Sequence, residues 1–372
     1  MTVDAPDVRR ADHRPLVDII SGSFGAGHDA AAREIAVRFE RRGYATRTWD
    51  VVDLMPRRIG RGLRATYLRQ IQSAPSTWRW LLRSLERSES GVRLVERAMH
   101  SAAGALLQVA AARPAAIVST HPFASQALGE LRAQGRLDVP VATYLTDMSV
   151  HRLWVHPGVD LHLALHAVPA EQAVRRGAAR VRVIRPAVPL AFAQARHGRP
   201  PRAARRDLGL PASGRLVLVT GGSCGIGDLR RSAADIAATG VAQPVVLCGR
   251  NDRLRRQVLR AGAGHALGWV DDMPGALAAV DGVVQNAGGF TSLEALAAGA
   301  PVLTYRTIPG HGETNADALE RSGLVPWARE RDLLRPALER LLAGRPRDPM
   351  AALRRRPDIV DAVAPARLPS SA

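Results

Sequence analysis

At 372 residues, 46% of them hydrophobic, the chain is too long for a single core and too apolar for a disordered or low-complexity protein. No run reaches the roughly 18 to 20 apolar residues that span a bilayer, and MTVDAPDVRRADHRPL lacks the apolar centre of a secretory signal, so a cytoplasmic protein is expected. The net charge of +18 suits anionic partners such as nucleic acid, acidic lipid or phosphorylated substrates without choosing among them; all 52 basic residues are Arg.

In chain order, LVDIISGSFGAGHDAAAREIAVRFERRG predicts a buried strand, a glycine loop over Ser21 to His28 and an amphipathic helix ending at Gly43. The stretch from Arg57 to His100 departs from this pattern. It is Arg-rich and helical in periodicity, and Trp78, Trp80 and Leu81 sit among its basic residues. Such a stretch fits an anionic membrane surface, or else a helical insertion packed on the first domain with its arginines solvated. AAIVST, PVATYLT and DLHLALHAV are further strand candidates, and the Pro- and Arg-rich run from Gln194 to Arg206 is the expected linker.

RLVLVTGGSCGIGDLRRSAADIAATG repeats the strand, glycine loop and helix, with the loop at Gly221 to Gly227. PVVLCG, GHALGWV, DGVVQNA and APVLTY follow as strands. The alternation predicts an α/β protein of two Rossmann-like domains with parallel sheets facing across a cleft. The expected domains are 14–193, carrying the helical insertion 57–100, and 207–345, with a frayed tail at 346–372.

A glycine loop between strand and helix presents backbone N–H groups at the positive end of the helix dipole, which favours phosphate. Three candidates exist: Gly22 to His28, Gly221 to Gly227, and Gly288 with Gly289 before a helix starting near Thr291. None holds the Lys of a Walker-type loop. TGGSCGIG and QNAGG resemble short-chain dehydrogenase elements, but those enzymes need a Lys that this chain lacks. Gly221 to Gly225 also fits Gly-x-Ser-x-Gly, a hydrolase elbow with His265 or His311 as partner, although the extra glycines suit a phosphate loop better. Cys224 and Cys248 offer neither a disulfide framework nor a zinc spacing, and His162 and His166 show no third ligand.

Gly268 to Leu319 resembles the donor-binding half of GT-B glycosyltransferases, in particular the group of monogalactosyldiacylglycerol synthases and the lipid-linked GlcNAc transferase of peptidoglycan synthesis. SGSFGAGHDAAA is similar to that group's N-terminal glycine loop, here with Gly25 and Gly27 on the acceptor side. TYLTDMSVHRLWVHPGVD, with Trp154, is similar to the Thr-Asp and Trp segment of the diacylglycerol enzymes. The resemblance implies that Trp269 and Val270 hold uracil and that Gly222 and Ser223 contact phosphate. It also implies that Arg250 and Asn251 line the cleft and that Glu313 and Asn315 face the sugar. His311 and Gly312 depart from the usual Gln and acidic residue, and Gln285 from a basic one.

On chemistry alone, Glu294 lies one helical turn past Thr291, where a carboxylate can accept both ribose hydroxyls beside Gly288 and Gly289; a capping box is the alternative. His28 is the candidate base for an acceptor hydroxyl, with Asp147 orienting it or acting as base itself. The expected function is an inverting transfer of a hexosyl group from a UDP-sugar to a diacylglycerol-like or other hydrophobic hydroxyl, at the inner membrane face. No cofactor, metal or nucleic acid is expected. The alternative is a non-catalytic nucleotide-sugar- or polyanion-binding protein.

Overall fold

Each glycine loop follows an apolar run, and in the computed structural model of the protein each such run is a strand. The structure describes residues 14–73, 101–198, 200–222, 225–286, 288–344, 348 and 350–364, with the side chains of 57, 67–73 and 196–198 left out.

The first domain runs β1 (Leu16–Ser21), α1 (Ala26–Glu40), β2 (Ala45–Asp50), α2 (Val51–Leu54), α3 (Arg57–Ser73), α4 (Ala103–Ala110), β3 (Ala116–Ser119), α5 (Pro122–Ala133), β4 (Val141–Tyr144), a short 3-10 turn at Arg152–Trp154, β5 (Leu161–Ala164), α6 (Ala167–Arg175) and β6 (Val181–Val183). Its strands are all parallel, in the order β2-β1-β3-β4-β5-β6. Helices lie on both faces, so the central strands β3 and β4 are buried at every position, while the edge strand β2 (ATRTWD) is polar and only partly covered.

The second domain contains α7 (Leu190–Gly198), α8 (Pro201–Asp207), β7 (Leu216–Thr220), α9 (Leu229–Ala238), β8 (Gln243–Leu247), α10 (Asp252–Arg260), β9 (His265–Leu267), α11 (Met273–Ala278), β10 (Gly282–Gln285), α12 (Phe290–Ala297), β11 (Val302–Tyr305), α13 (His311–Arg321), β12 (Trp327–Ala328) and α14 (Leu334–Ala343). Its parallel sheet has the order β12-β11-β10-β7-β8-β9. In each sheet the strand order reverses once, between β1 and β3 and between β7 and β10, and such a reversal opens a crevice at the strands' carboxyl ends. Both reversals face the junction of the domains, which share one core cluster joining Ala31, Ile35 and Phe39 to Phe192, Leu277 and Leu293.

Two segments differ from expectation. Gln194 to Arg206 is not the linker, because α7 and α8 occupy it and Phe192 and Ala195 bury against α11; the chain crosses at 184–189 instead. Part of the expected tail is also folded. Helices α15 (Met350–Arg354) and α16 (Ile359–Val363) bury Met350, Leu353, Ile359 and Val360, and α16 packs on α1 of the first domain. The Arg185 N–H donates to the Pro357 carbonyl at 2.9 Å, so both crossings between domains run side by side.

Candidate active site

The first-domain half of the site is built on the ends of β1 and β3. His28 enters α1 from the glycine loop, and its Nδ1 lies 2.8 Å from the Thr120 carbonyl just past β3. A carbonyl only accepts, so the proton sits on Nδ1 and Nε2 keeps its lone pair. Thr146 Oγ1, 3.1 Å away, shares that nitrogen. The His28 ring is T-shaped to His121 at 4.7 Å and tilted to Trp154 at 6.0 Å. Burial lowers its pKa from 6.5, against the raising influence of Asp147, the Thr120 carbonyl and Asp29.

Thr120, rather than Asp147, therefore orients His28. Asp147 Oδ2 accepts from Trp154 Nε1 at 3.1 Å, and Oδ1 lies 3.4 Å from His311 Nε2 of the second domain. Burial alone would raise the Asp147 carboxyl, but His311, with help from His28 and His151, holds it well below the usual carboxylate range. A carboxylate so far ionised is a weak base at neutral pH and a good electrostatic neighbour for a charged imidazole.

The second-domain half surrounds a cavity of about 570 Å³ between the domains. That volume lies within the range of small-ligand sites. Gly222, Trp269, Val270, Thr291 and Glu294 line it from the second domain, and Gly27 and Arg33 from the first. Gly27, the residue before His28, is among these lining residues. Glu294 accepts no hydrogen bond among the described residues, and burial pushes its carboxyl up to about 7 despite the pull of Arg33. Helix α12 begins at Phe290 with no side-chain cap, so Thr291 and Glu294 form no capping box and the first-turn N–H groups stay open toward the cavity. The Trp269 ring carries the Arg250 guanidinium at 4.4 Å and remains 47% exposed at the mouth.

Other candidate residues have different work. Asn251 caps α10 through Leu254 N at 2.9 Å. Glu313 accepts from Gly310 N at 3.0 Å, closing the first turn of α13. Asn315 is fully buried and turned to the first domain, its Oδ1 accepting from Ser149 N at 2.8 Å. His311 Nε2 is also 3.0 Å from Asn315 Nδ2, a donor, so this contact and the Asp147 pair are alternatives that depend on the His311 proton. Burial opposes that proton, but Asp147 outweighs it and raises the His311 pKa.

Of the glycine pair, Gly288 N donates to Gln285 Oε1 at 2.5 Å, so this N–H is already committed. A Cβ at Gly289 would sit 3.0 Å from the Thr146 carbonyl and 3.2 Å from Asp147 Cα, so this glycine lets the domains meet. Gly25 is the residue before α1, with open space where a Cβ would stand. Ser223 of the phosphate-loop expectation and Trp78, Trp80 and Leu81 of the membrane expectation lie outside the described residues. Thr120 and His121 belong to the site without having been marked by any motif, the strand reversal between β1 and β3 being the available signal; Thr146 and His151 lie in the Thr-Asp and Trp segment but were not singled out there. Among the described residues no group of three or more His, Cys, Asp or Glu could hold a metal ion.

Two Rossmann-like domains facing across such a cavity define the class as the GT-B fold. A family model described as monogalactosyldiacylglycerol (MGDG) synthase matches residues 28–189, most of the first domain. The chain is 26% identical over 231 residues to the processive diacylglycerol beta-glucosyltransferase of Bacillus cereus (strain ATCC 14579), covering 60% of this chain and 58% of that protein. It thus spans a little over half the length of the curated relatives it matches. Among solved structures it is similar to Acinetobacter baumannii MurG, with a TM-score of 0.53 at 15% identity over 94% of this chain and 99% of that one. It is also similar to Anabaena Alr3699/HepE in complex with UDP-glucose, with a TM-score of 0.56 at 14% identity over 94% and 97%. The motif resemblance holds: this is a GT-B protein similar to the MGDG synthases.

Proposed function

We propose that the protein is an inverting glycosyltransferase that moves a hexosyl group from a UDP-sugar to the hydroxyl of a diacylglycerol-like lipid. One observation supports the reading: the cleft is lined by Glu294, unpartnered among the described residues, by the uncapped start of α12 and, from the first domain, by Gly27, whose chain neighbour His28 has its Nδ1 engaged by the Thr120 carbonyl and so leaves Nε2 to take a proton. The relatives support donor and acceptor class, since one is a diacylglycerol beta-glucosyltransferase and another was solved with UDP-glucose.

In this reading Glu294 accepts the ribose hydroxyls and the Trp269 to Val270 segment holds the base. His28 Nε2 takes the acceptor proton as the new C–O bond forms at the anomeric carbon and the bond to UDP breaks. Asp147 steadies the resulting imidazolium, and the α12 N-terminus with Arg33 meets the charge gathering on the diphosphate. The lipid arrives from an anionic membrane surface at the inner face, a role suited to the Arg-rich helix α3 and the chain's +18 charge. No helix among the described residues is long and apolar enough to cross a membrane.

The test is UDP release from a panel of UDP-sugars with diacylglycerol in vesicles. His28→Ala should lower turnover by about 10²- to 10⁴-fold while UDP affinity stays within about twofold. Tight UDP binding with no turnover on any donor would instead identify a nucleotide-sugar-binding protein. Recovery of the protein in the unbound fraction, regardless of anionic lipid, would remove the membrane from the reading.

A further inference from the structure

A second cavity, of about 350 Å³, lies where the chain passes twice between the domains. Arg185, Pro186, Val188 and Pro189 of the first crossing form one side, and Arg354 and Asp358 near the second form another. Arg38, Arg41 and Arg42 close it from the C-terminal end of α1, and Ala297 from the end of α12. Glu34 and Pro189 line both this cavity and the larger cleft, so the two share a wall.

Five arginines therefore line a pocket that contains two carboxylates, Glu34 and Asp358. Part of this charge is already matched. Arg38 donates to Glu34 at 2.8 Å and to Asp358 at 3.2 Å, and Arg185 Nη2 meets Asp358 at 2.5 Å. Arg42 pairs outward with Asp361 and Arg354 with Asp348. Two groups bear on a ligand: the exposed Arg41 guanidinium, which makes no bond among the described residues, and Arg185 Nε, which is buried with no acceptor among them. A buried N–H of a cationic group left without an acceptor costs stability unless something outside the chain completes it. Paired guanidinium forks match the geometry of phosphate oxygens.

We propose that this inter-crossing cavity binds a phosphate-bearing anion, held by Arg41 and Arg185 and backed by Arg38. Its position ties the first domain, both crossings and the end of α12 to one ligand, separate from the donor cleft and independent of the reaction assigned to it. Either a soluble phosphate compound or the phosphate of an acidic lipid headgroup meets this chemistry.

The full chain is titrated calorimetrically with inorganic diphosphate at constant ionic strength, and floated on phosphatidylcholine vesicles with and without phosphatidate. The Arg41→Ala variant should fold normally, since that guanidinium has no partner to lose. It should weaken binding of the effective probe by about tenfold or more, with Arg41→Lys intermediate because it keeps the charge and loses the fork. Arg41-dependent binding of diphosphate identifies a soluble ligand, and Arg41-dependent binding of phosphatidate vesicles alone identifies a lipid headgroup. Equal binding by wild type and Arg41→Ala, or binding of neither probe, overturns the assignment.

Discussion

Glu294 illustrates how far a single side chain can be argued. Its carboxyl is pushed up to about 7 because burial is offset only in part by Arg33 and by no hydrogen bond among the described residues, so at neutral pH it is poised between forms. Only the ionised form accepts from two ribose hydroxyls. A nucleotide that selects this form must bind more tightly as pH rises through 7, and binding must lower the Glu294 pKa. Calorimetric titration of UDP between pH 6 and pH 8.5 should show that rise, and Glu294→Gln should flatten it and weaken binding by about tenfold. His162 makes the opposite case. It is wholly buried on β5, neither ring nitrogen has a hydrogen bond of good geometry among the described residues, and burial pushes its pKa down to about 4 against the raising pull of the Arg180 backbone. The unfolded chain, at 6.5, binds the proton more readily, so the stability linked to this residue is complete above pH 6.5 and is lost as pH falls toward 4. Denaturant melts across that window should show a loss on the order of 2 to 3 kcal/mol that His162→Leu reduces.

At the scale of elements, the junction rests on α12 and α13 meeting the loop after β4. Ser149 donates to Asn315, and Gly289 lies against Thr146 and Asp147 with no room to spare. Gly289→Ala should push this loop from the start of α12. The expected outcome is a fall in turnover of about tenfold or more with Tm little changed, since neither domain's own core includes this contact. Strands and helices at this scale were legible: the glycine loops at Gly22 and Gly221 follow buried strands, and β3, β4, β10 and β11 were visible as short apolar runs. The side-chain roles were legible only where chemistry and position coincided. Gly222 lines the cleft from the turn after β7, and Glu294 from α12, one helical turn past Thr291. Asn251 and Asn315 also have structural partners that the family resemblance did not reveal: the Oδ1 of one accepts within its own helix and that of the other from a residue 166 positions away. Thr120 acts on His28 across 92 residues, a partnership that depends on β1 and β3 being neighbours and that no local pattern records.

The whole molecule is organised by its two strand reversals, each opening on the junction, and by a core that continues from one domain into the other. The sequence repeat from Leu16 and again from Leu216 made the tandem plan readable. It could not show where the connecting chain runs, because Pro- and Arg-rich composition at Gln194 to Arg206 marks a linker and a solvated helix equally well. Nor could it show that α16 returns to the first domain, since Ile359 and Val360 are a brief apolar pair whose partners lie on α1.

That return has a mechanical consequence. Lobes fastened by one strand of chain can drift, whereas lobes fastened at two adjacent points turn like a door, about the line joining the fastenings. Severing one fastening should leave the door on its remaining one. A single engineered protease site placed in the 184–189 crossing should therefore give two fragments that co-elute under native conditions and separate only in denaturant. A second cut that also frees α16 should lower the denaturant needed to part the lobes, since the shared core is then their main remaining hold.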